Sequence, residues 1–314
     1  MSYHIRPARR SEAKPLIGLY SESGCGKTWS SLMLARGFVG PSGKIVMIET
    51  EGGRGEVYVD VLPGGYDVCS MRDTFSPENY GEAIRAVEQA APDALIIDSA
   101  SHEWEGSGGV LAMAAENEAA GKKSMMIWQG PKLAHQRHFV LRLLATPIPL
   151  VIVCMRAKYP MKEIKREGKK EWVRAEHVEP VQSDGILYEL MIHGWIDREH
   201  NFRGTKYTRD DLRQVIRDGE PITIKTGEQL AVWATEGLAN TATTEAPAVR
   251  ATARSPLDER ATLLAEIKRC ADQAKLSREA RTEGWRTYCG TSKPEAVDLA
   301  ALADLLAWVK TRAA

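Results

Sequence analysis

Residues 21–28 read Ser-Glu-Ser-Gly-Cys-Gly-Lys-Thr and directly follow the apolar run Leu16-Ile17-Gly18-Leu19-Tyr20. A buried strand, a glycine-rich turn and a helix in that order constrain the fold more than any other stretch of the chain. The turn fits the pattern G-x-x-x-x-G-K-[ST], with Ser21 where the first glycine is usual, a position that tolerates small residues. Glycine is needed where backbone amides curl around phosphate oxygens, because it takes positive φ at no steric cost. Ser23, Gly24, Cys25, Gly26, Lys27, Thr28 and Trp29 are therefore expected to cradle a nucleotide. Lys27 serves as a point charge for the β- and γ-phosphates, and the helix N-terminus adds its dipole.

Such a loop works with Mg²⁺, and the metal needs oxygen ligands. Thr28 supplies a hydroxyl. Residues 94–98, Ala-Leu-Ile-Ile-Asp, form a short apolar run ending in a carboxylate, as a buried parallel strand would. Asp98 is the expected second metal contact, made through water. A further strand, 44–48, runs into Glu49-Thr50-Glu51-Gly52-Gly53. A carboxylate at that mouth can orient an attacking water. Glu51 is the expected base and Glu49 the weaker candidate.

This layout resembles the RecA-like branch of P-loop ATPases. In that branch a glutamate ending the strand after the P-loop helix polarises water, and a later strand ends in Asp-Ser; Glu51 and Asp98-Ser99 match. The stretch from Asp98 through Trp104 to Gly106, the later Trp128, and Thr205-Lys206-Tyr207-Thr208-Arg209 resemble phage-encoded RecA-like ATP-binding proteins, among them single-strand annealing proteins. The resemblance spans residues 14–235. It implies ATP and Mg²⁺, self-association into a ring or filament, single-stranded DNA as partner with a single-strand-binding protein as another, and a phage protein in the bacterial cytoplasm. It also implies that Lys206 and Arg209 reach the γ-phosphate of a neighbouring subunit. One departure stands out. Where RecA has a glutamine that senses γ-phosphate, this chain has Cys154-Met155-Arg156.

Alternating strand and helix patterns predict an α/β fold: a mostly parallel, twisted sheet flanked by helices, plus a small C-terminal helical module. Strands are expected at 15–21, 44–49, 66–71, 94–98 and 149–155, and helices at 27–38, 77–91, 107–120 and 129–145. Tyr188 to Ile192 and Trp195 to Asp197 read as a strand pair, with a turn over 200–204. In such sheets ligands sit outside the carboxyl ends of the strands, where all three acidic candidates fall. The expected domains are a core over 1–239, a linker over 240–256 and a three-helix module over 257–314. The linker lacks large apolar side chains apart from Val249.

Residues 156–178 read as a β-hairpin with a glycine turn. It carries eight basic side chains (Arg156, Lys158, Lys162, Lys165, Arg166, Lys169, Lys170 and Arg174) against four acidic ones, with Tyr159 and Trp172 interleaved. Cations track phosphates and aromatics stack on bases, so this is the expected DNA-binding element. The formal net charge is +0, so any such binding must be local. The five cysteines show no paired spacing, which with Cys25 in the loop suits a reduced cytosolic setting. No signal peptide and no membrane-spanning run is expected. His135 and His138 are expected to have surface or capping roles, Trp104 and Trp128 to pack, and no Ser/His/Asp signature is legible. Two other functions fit the same loop: a small-molecule (nucleotide) kinase with the hairpin as phosphate lid, or a non-catalytic scaffold for phage replication or packaging. A GTPase does not fit, since Ser101 stands where that class wants glycine and Thr205-Lys206-Tyr207-Thr208 lacks a guanine-reading aspartate.

Overall fold

In the computed structural model, residues 13–166, 169–175, 178–242, 256–274, 276–289 and 299–312 are described. The chain divides into two units, 1–243 and 244–314. Unit one begins with β1 (Leu16–Ser21), α1 (Lys27–Val39), β2 (Ile45–Glu49), β3 (Asp67–Ser70), α2 (Pro77–Gln89) and β4 (Ala94–Asp98). Next come α3 (Ser101–Glu105), α4 (Val110–Ala119), α5 (Met125–Ala134), a π-helical turn (His135–Val140) and α6 (Leu141–Ala145). The unit closes with β5 (Leu150–Lys158), β6 (Met161–Arg166), β7 (Lys169–Arg174), β8 (Glu179–Pro180), α7 (Asp184–Glu189), β9 (Ile192–Ile196), β10 (Phe202–Tyr207), α8 (Leu212–Val215) and α9 (Ile224–Ala242).

The main sheet runs β10-β9-β1-β5-β4-β2-β3, with β8 paired to β5. Every neighbour pair along that path is parallel except β9–β10. This is the α/β architecture with a mostly parallel sheet that the sequence predicts. Period-two alternation sends successive side chains to opposite faces. Ile17, Leu19, Met47, Ile96 and Ile152 pack with residues of α1 and α9 in one core cluster. Leu16, Tyr20, Val46, Ile48, Leu95 and Val153 pack with Ile84, Phe139 and Leu143 in another. Helices α1 and α9 meet at Gly37 and Gly227, where a β-carbon on either would overlap the other helix's backbone. Helix α2 starts as read, with Ser76 accepting from Asn79 N–H and Pro77 in the first turn.

Several expectations need correction. The helix expected over 129–145 begins at Met125, holds Pro131 inside it and passes through the π-helical turn. Of the strand expected over 188–192 only Ile192 is in a strand: α7 ends at Glu189, and Ile192–Ile196 pairs with Phe202–Tyr207. The turn is therefore 197–201, with His200 in the left-handed region at φ 65. His135 is buried, not a surface residue. Trp104 does pack, edge-on against the His135 ring at 5.6 Å, and with the half-buried Trp128 it lines a cavity. The first residues of the expected linker, 240–242, belong to α9, and most of the rest lies outside the described residues. Beyond it, α10 (Pro256–Gln273), α11 (Arg278–Cys289) and α12 (Leu299–Lys310) form the second unit, packed through Ile267, Ala271, Leu302, Leu305 and Val309. Among the described residues no helix is long and apolar enough to cross a membrane.

Candidate functional site

The glycine loop leaves β1 and enters α1 as the sequence predicts. Gly24 has φ +87 and Gly26 φ +92, conformations L side chains rarely adopt. A β-carbon at Gly24 would meet nothing within 4 Å, so the inner surface of the loop is open there. Gly26 is the N-cap of α1, and no side chain caps the helix's first amides.

Parallel register brings the acidic strand ends to this opening. Glu49 aligns with Asp98, and Asp98 with Cys154, across β2, β4 and β5. Thr28 Oγ1 donates to Asp98 Oδ2 at 2.5 Å. Lys27 Nζ lies 3.7 Å from Asp98 Oδ1 and 4.0 Å from Glu51 Oε1. Asp98 Oδ1 is buried with no hydrogen-bond partner. Burial pushes the Asp98 carboxyl above the ordinary carboxylate range, against the opposing pull of Lys27 and Thr28. Burial also works to lower the Lys27 ammonium, but the fields of Asp98 and Glu51 outweigh it and raise it overall. A buried carboxylate with one idle oxygen beside a threonine hydroxyl is the ligand chemistry of a Mg²⁺ that brings its own phosphates and waters.

The two glutamates separate by environment. Glu49 is fully buried and accepts from the backbone N–H of Glu51 (2.7 Å) and of Gly53 (3.0 Å). Its carboxylate also lies 3.8 Å from Arg72 Nη2. Glu49 thus shapes the 49–53 turn, and the turn presents Glu51 to Lys27. Arg156, assigned from the sequence to DNA, reaches the same place: its Nε and Nη2 donate to Glu51 Oε1 at 3.3 Å each. Arg156 Nη1 is 3.7 Å from Glu105 as well. It lies at the mouth because β5 runs between β1 and β4, with Arg156 in register with Ser21.

A cavity of about 360 Å³ covers the loop, lined by Ser23, Gly24, Gly26, Lys27, Thr28, Trp29 and Glu51 together with Arg54, Tyr58 and His200. The last three carry no sequence motif. His200 comes from the β9–β10 turn, 175 residues along the chain from Cys25, whose carbonyl accepts from His200 Nδ1 at 2.8 Å. Trp29 and Tyr58 stand 5.6 Å apart, ring centre to ring centre. They and Arg54 line the same cavity, where flat and cationic surfaces suit a nucleobase.

The remaining sequence candidates lie away from this cavity. Lys206 Nζ donates to the carbonyls of Leu187 (3.1 Å) and Tyr188 (2.7 Å). Arg209 forks onto Asp211 at 3.1 and 2.9 Å. Strands β6 and β7 pair antiparallel from Met161–Arg174 to Arg166–Lys169, the hairpin the sequence predicts. Within it Lys170 pairs with Glu163 at 2.8 Å, and Trp172 is 62% exposed. Arg174 stacks 3.7 Å over Tyr159 and faces Glu22 at 3.6 Å. Lys158 is exposed. The side chains of Lys162, Lys165, Arg166 and Lys169 lie outside the described residues.

No known sequence family matches this chain, and no curated protein does. Solved structures do. An ATPase from the type III secretion system of pathogenic bacteria is 14% identical, with 96% of this chain and 80% of that one covered and a TM-score of 0.36. The assembled ATPase EscN from the type III secretion system of enteropathogenic E. coli is 12% identical, with 96% and 67% covered and a TM-score of 0.36. The site's own geometry carries the functional reading.

Proposed function

We propose that this chain is a Mg²⁺-dependent ATPase of the RecA-like kind that binds single-stranded DNA and promotes strand annealing or exchange in phage recombination, assembled as a ring or filament with ATP at subunit contacts. The observation behind it is the meeting of Lys27, Thr28, Glu51 and Asp98 at adjoining strand ends around an open glycine loop. Thr28 Oγ1 and Asp98 are the residues that would hold Mg²⁺, which when bound neutralises charge on the phosphate oxygens. Lys27 and the amides of residues 24–28 bind the triphosphate and stabilise charge as the terminal phosphoryl transfers. Glu51 orients the attacking water once it is free of Arg156. Lys206 and Arg209 serve a neighbouring subunit only after leaving their present partners.

Support for the DNA role is the cationic hairpin that continues directly from β5, with Trp172 available for stacking. Since Arg156 lies on that strand and holds Glu51, a load on the hairpin can release the base. ATP turnover with Mg²⁺, measured with and without single-stranded DNA, tests the proposal. Turnover that rises with DNA supports it. A phosphorylated small-molecule product without DNA response indicates the kinase, and nucleotide-dependent assembly without turnover indicates the scaffold.

A further inference from the structure

A second constellation, outside the nucleotide site, brings together three residues far apart in sequence. Ser183 Oγ lies 2.8 Å from His135 Nε2. His135 Nδ1 lies 2.9 Å from Glu103 Oε1 and 3.1 Å from Oε2. Glu103 is fully buried, and its Oε2 also accepts from Gln182 Nε2 at 3.2 Å. Its carboxylate therefore fixes the ring with Nδ1 carrying the proton, leaving Nε2 to accept from the serine hydroxyl. Nucleophile, base and orienting acid within hydrogen-bond reach are the geometric mark of an activated serine.

Two local features agree. Ser183 occupies the N-cap position of α7, yet its side chain makes no capping bond. A serine there ordinarily accepts from the helix's own amides; this one is turned to the histidine. His135 opens the π-helical turn, a distortion frequent at functional sites. Ser183 and His135 also line a cavity of about 520 Å³, with Trp104, Trp128, Lys132 and Gln136 around it. That volume suits a small molecule.

We infer that Glu103, His135 and Ser183 form a serine-nucleophile site that hydrolyses small carboxylic esters carrying a flat apolar group, seated against Trp104 and Trp128. Ser183 Oγ bonds to the ester carbonyl carbon while its proton passes to His135 Nε2. The C–O bond to the alcohol breaks, and the alcohol leaves with that proton. Water then adds to the acyl-serine, giving its proton to Nε2; the acid departs and the proton returns to Ser183. Lys132 and Gln136 supply the donors in the cavity for charge on the carbonyl oxygen. Glu103 is a positioning residue.

The test uses the full chain, a fluorophosphonate probe and p-nitrophenyl butyrate. The expected result is one covalent adduct on Ser183 by peptide mass spectrometry, with ester hydrolysis, both abolished in Ser183→Ala. Glu103→Gln should slow the bond-forming step by about 10³-fold and leave the reversible affinity for the probe unchanged. A Ser183→Cys chain should take up iodoacetamide at the substituted position well ahead of the half-buried Cys69 and Cys289. The inference is overturned by no adduct on a chain that melts cooperatively, or by an adduct that persists in Ser183→Ala. It is equally overturned if the thiol introduced by Ser183→Cys reacts no faster than those two cysteines.

Discussion

Replacing Asp98 with asparagine should make the nucleotide-free protein more stable and the nucleotide-dependent protein inert. Asp98 is 3% exposed, its Oδ1 has no hydrogen-bond partner, and burial raises its pKa despite Lys27 at 3.7 Å. A carboxyl whose folded-state pKa exceeds its unfolded value near 3.9 favours folding below that value. It opposes folding as pH rises through the folded one. Asparagine keeps the shape and removes the charge. Removing the charge relieves a desolvation that Lys27 offsets only in part, and Lys27 keeps Glu51 as a partner, so a gain of about 1–2 kcal/mol is expected at neutral pH. In a unit spanning residues 1–243 that is a rise in Tm of about 2–8 °C. Mg²⁺ and ATP should reverse the ranking. A ligand at 100 times its Kd stabilises by about 2.7 kcal/mol, and only the parent chain should gain this in full. Thermal melts from pH 4 to 8, with and without Mg²⁺ and a non-hydrolysable ATP analogue, read all of this. An Asp98→Asn chain that melts below the parent without ligand, or that gains as much from Mg²⁺–nucleotide, would refute the reasoning.

Three further predictions follow from other parts of the molecule. Changing Lys162, Lys165, Lys169 and Lys170 together to glutamine should weaken single-stranded DNA binding and flatten the log–log salt slope by up to about 3, read by anisotropy titrations; an unchanged slope removes the hairpin from the DNA account. Arg156→Gln frees Glu51 from a half-exposed ion pair worth about 1 kcal/mol, so DNA-independent ATP turnover should rise roughly fivefold and DNA stimulation should shrink; steady-state kinetics decide, and lower basal turnover counts against the latch. Burial, with Lys206 nearby, lowers the His193 pKa from 6.5 to about 4. His193 therefore contributes stability above pH 6.5 that is lost as pH falls towards 4, about 3 kcal/mol in all, and His193→Gln should flatten that limb of the melting curve.

How legible the site is depends on how local each signal is. The glycine loop, Lys27, Thr28 and Asp98 each lie within one strand–turn element, and strand and helix patterns fix where such elements point. Glu49 spends its oxygens on backbone amides two and four residues ahead, a bonding pattern that the sequence does not spell out. Charge count assigns Arg156 to the hairpin, but register with Ser21 places it at the strand mouths, and pairing register is not written in composition. His200 and the Glu103–His135–Ser183 set join segments 175, 32 and 48 residues apart, so no window of sequence contains them. The strand reading of 188–192 fails because a short apolar run does not distinguish a strand from the last turn of a helix; Ser183-Asp184 ahead of it is the helix start that decides. The 129–145 reading misses the π-helical turn, where the apolar pattern alone continues through His135–Val140.

Calorimetric titration of the full chain with a non-hydrolysable ATP analogue, in the presence and absence of Mg²⁺, tests the central claim most directly. Saturable one-to-one uptake that tightens with Mg²⁺, and that disappears in Lys27→Ala, is the predicted result. A folded chain that takes up no nucleotide, or takes it up equally well without Lys27, would contradict the whole reading of the strand ends around Thr28, Glu51 and Asp98.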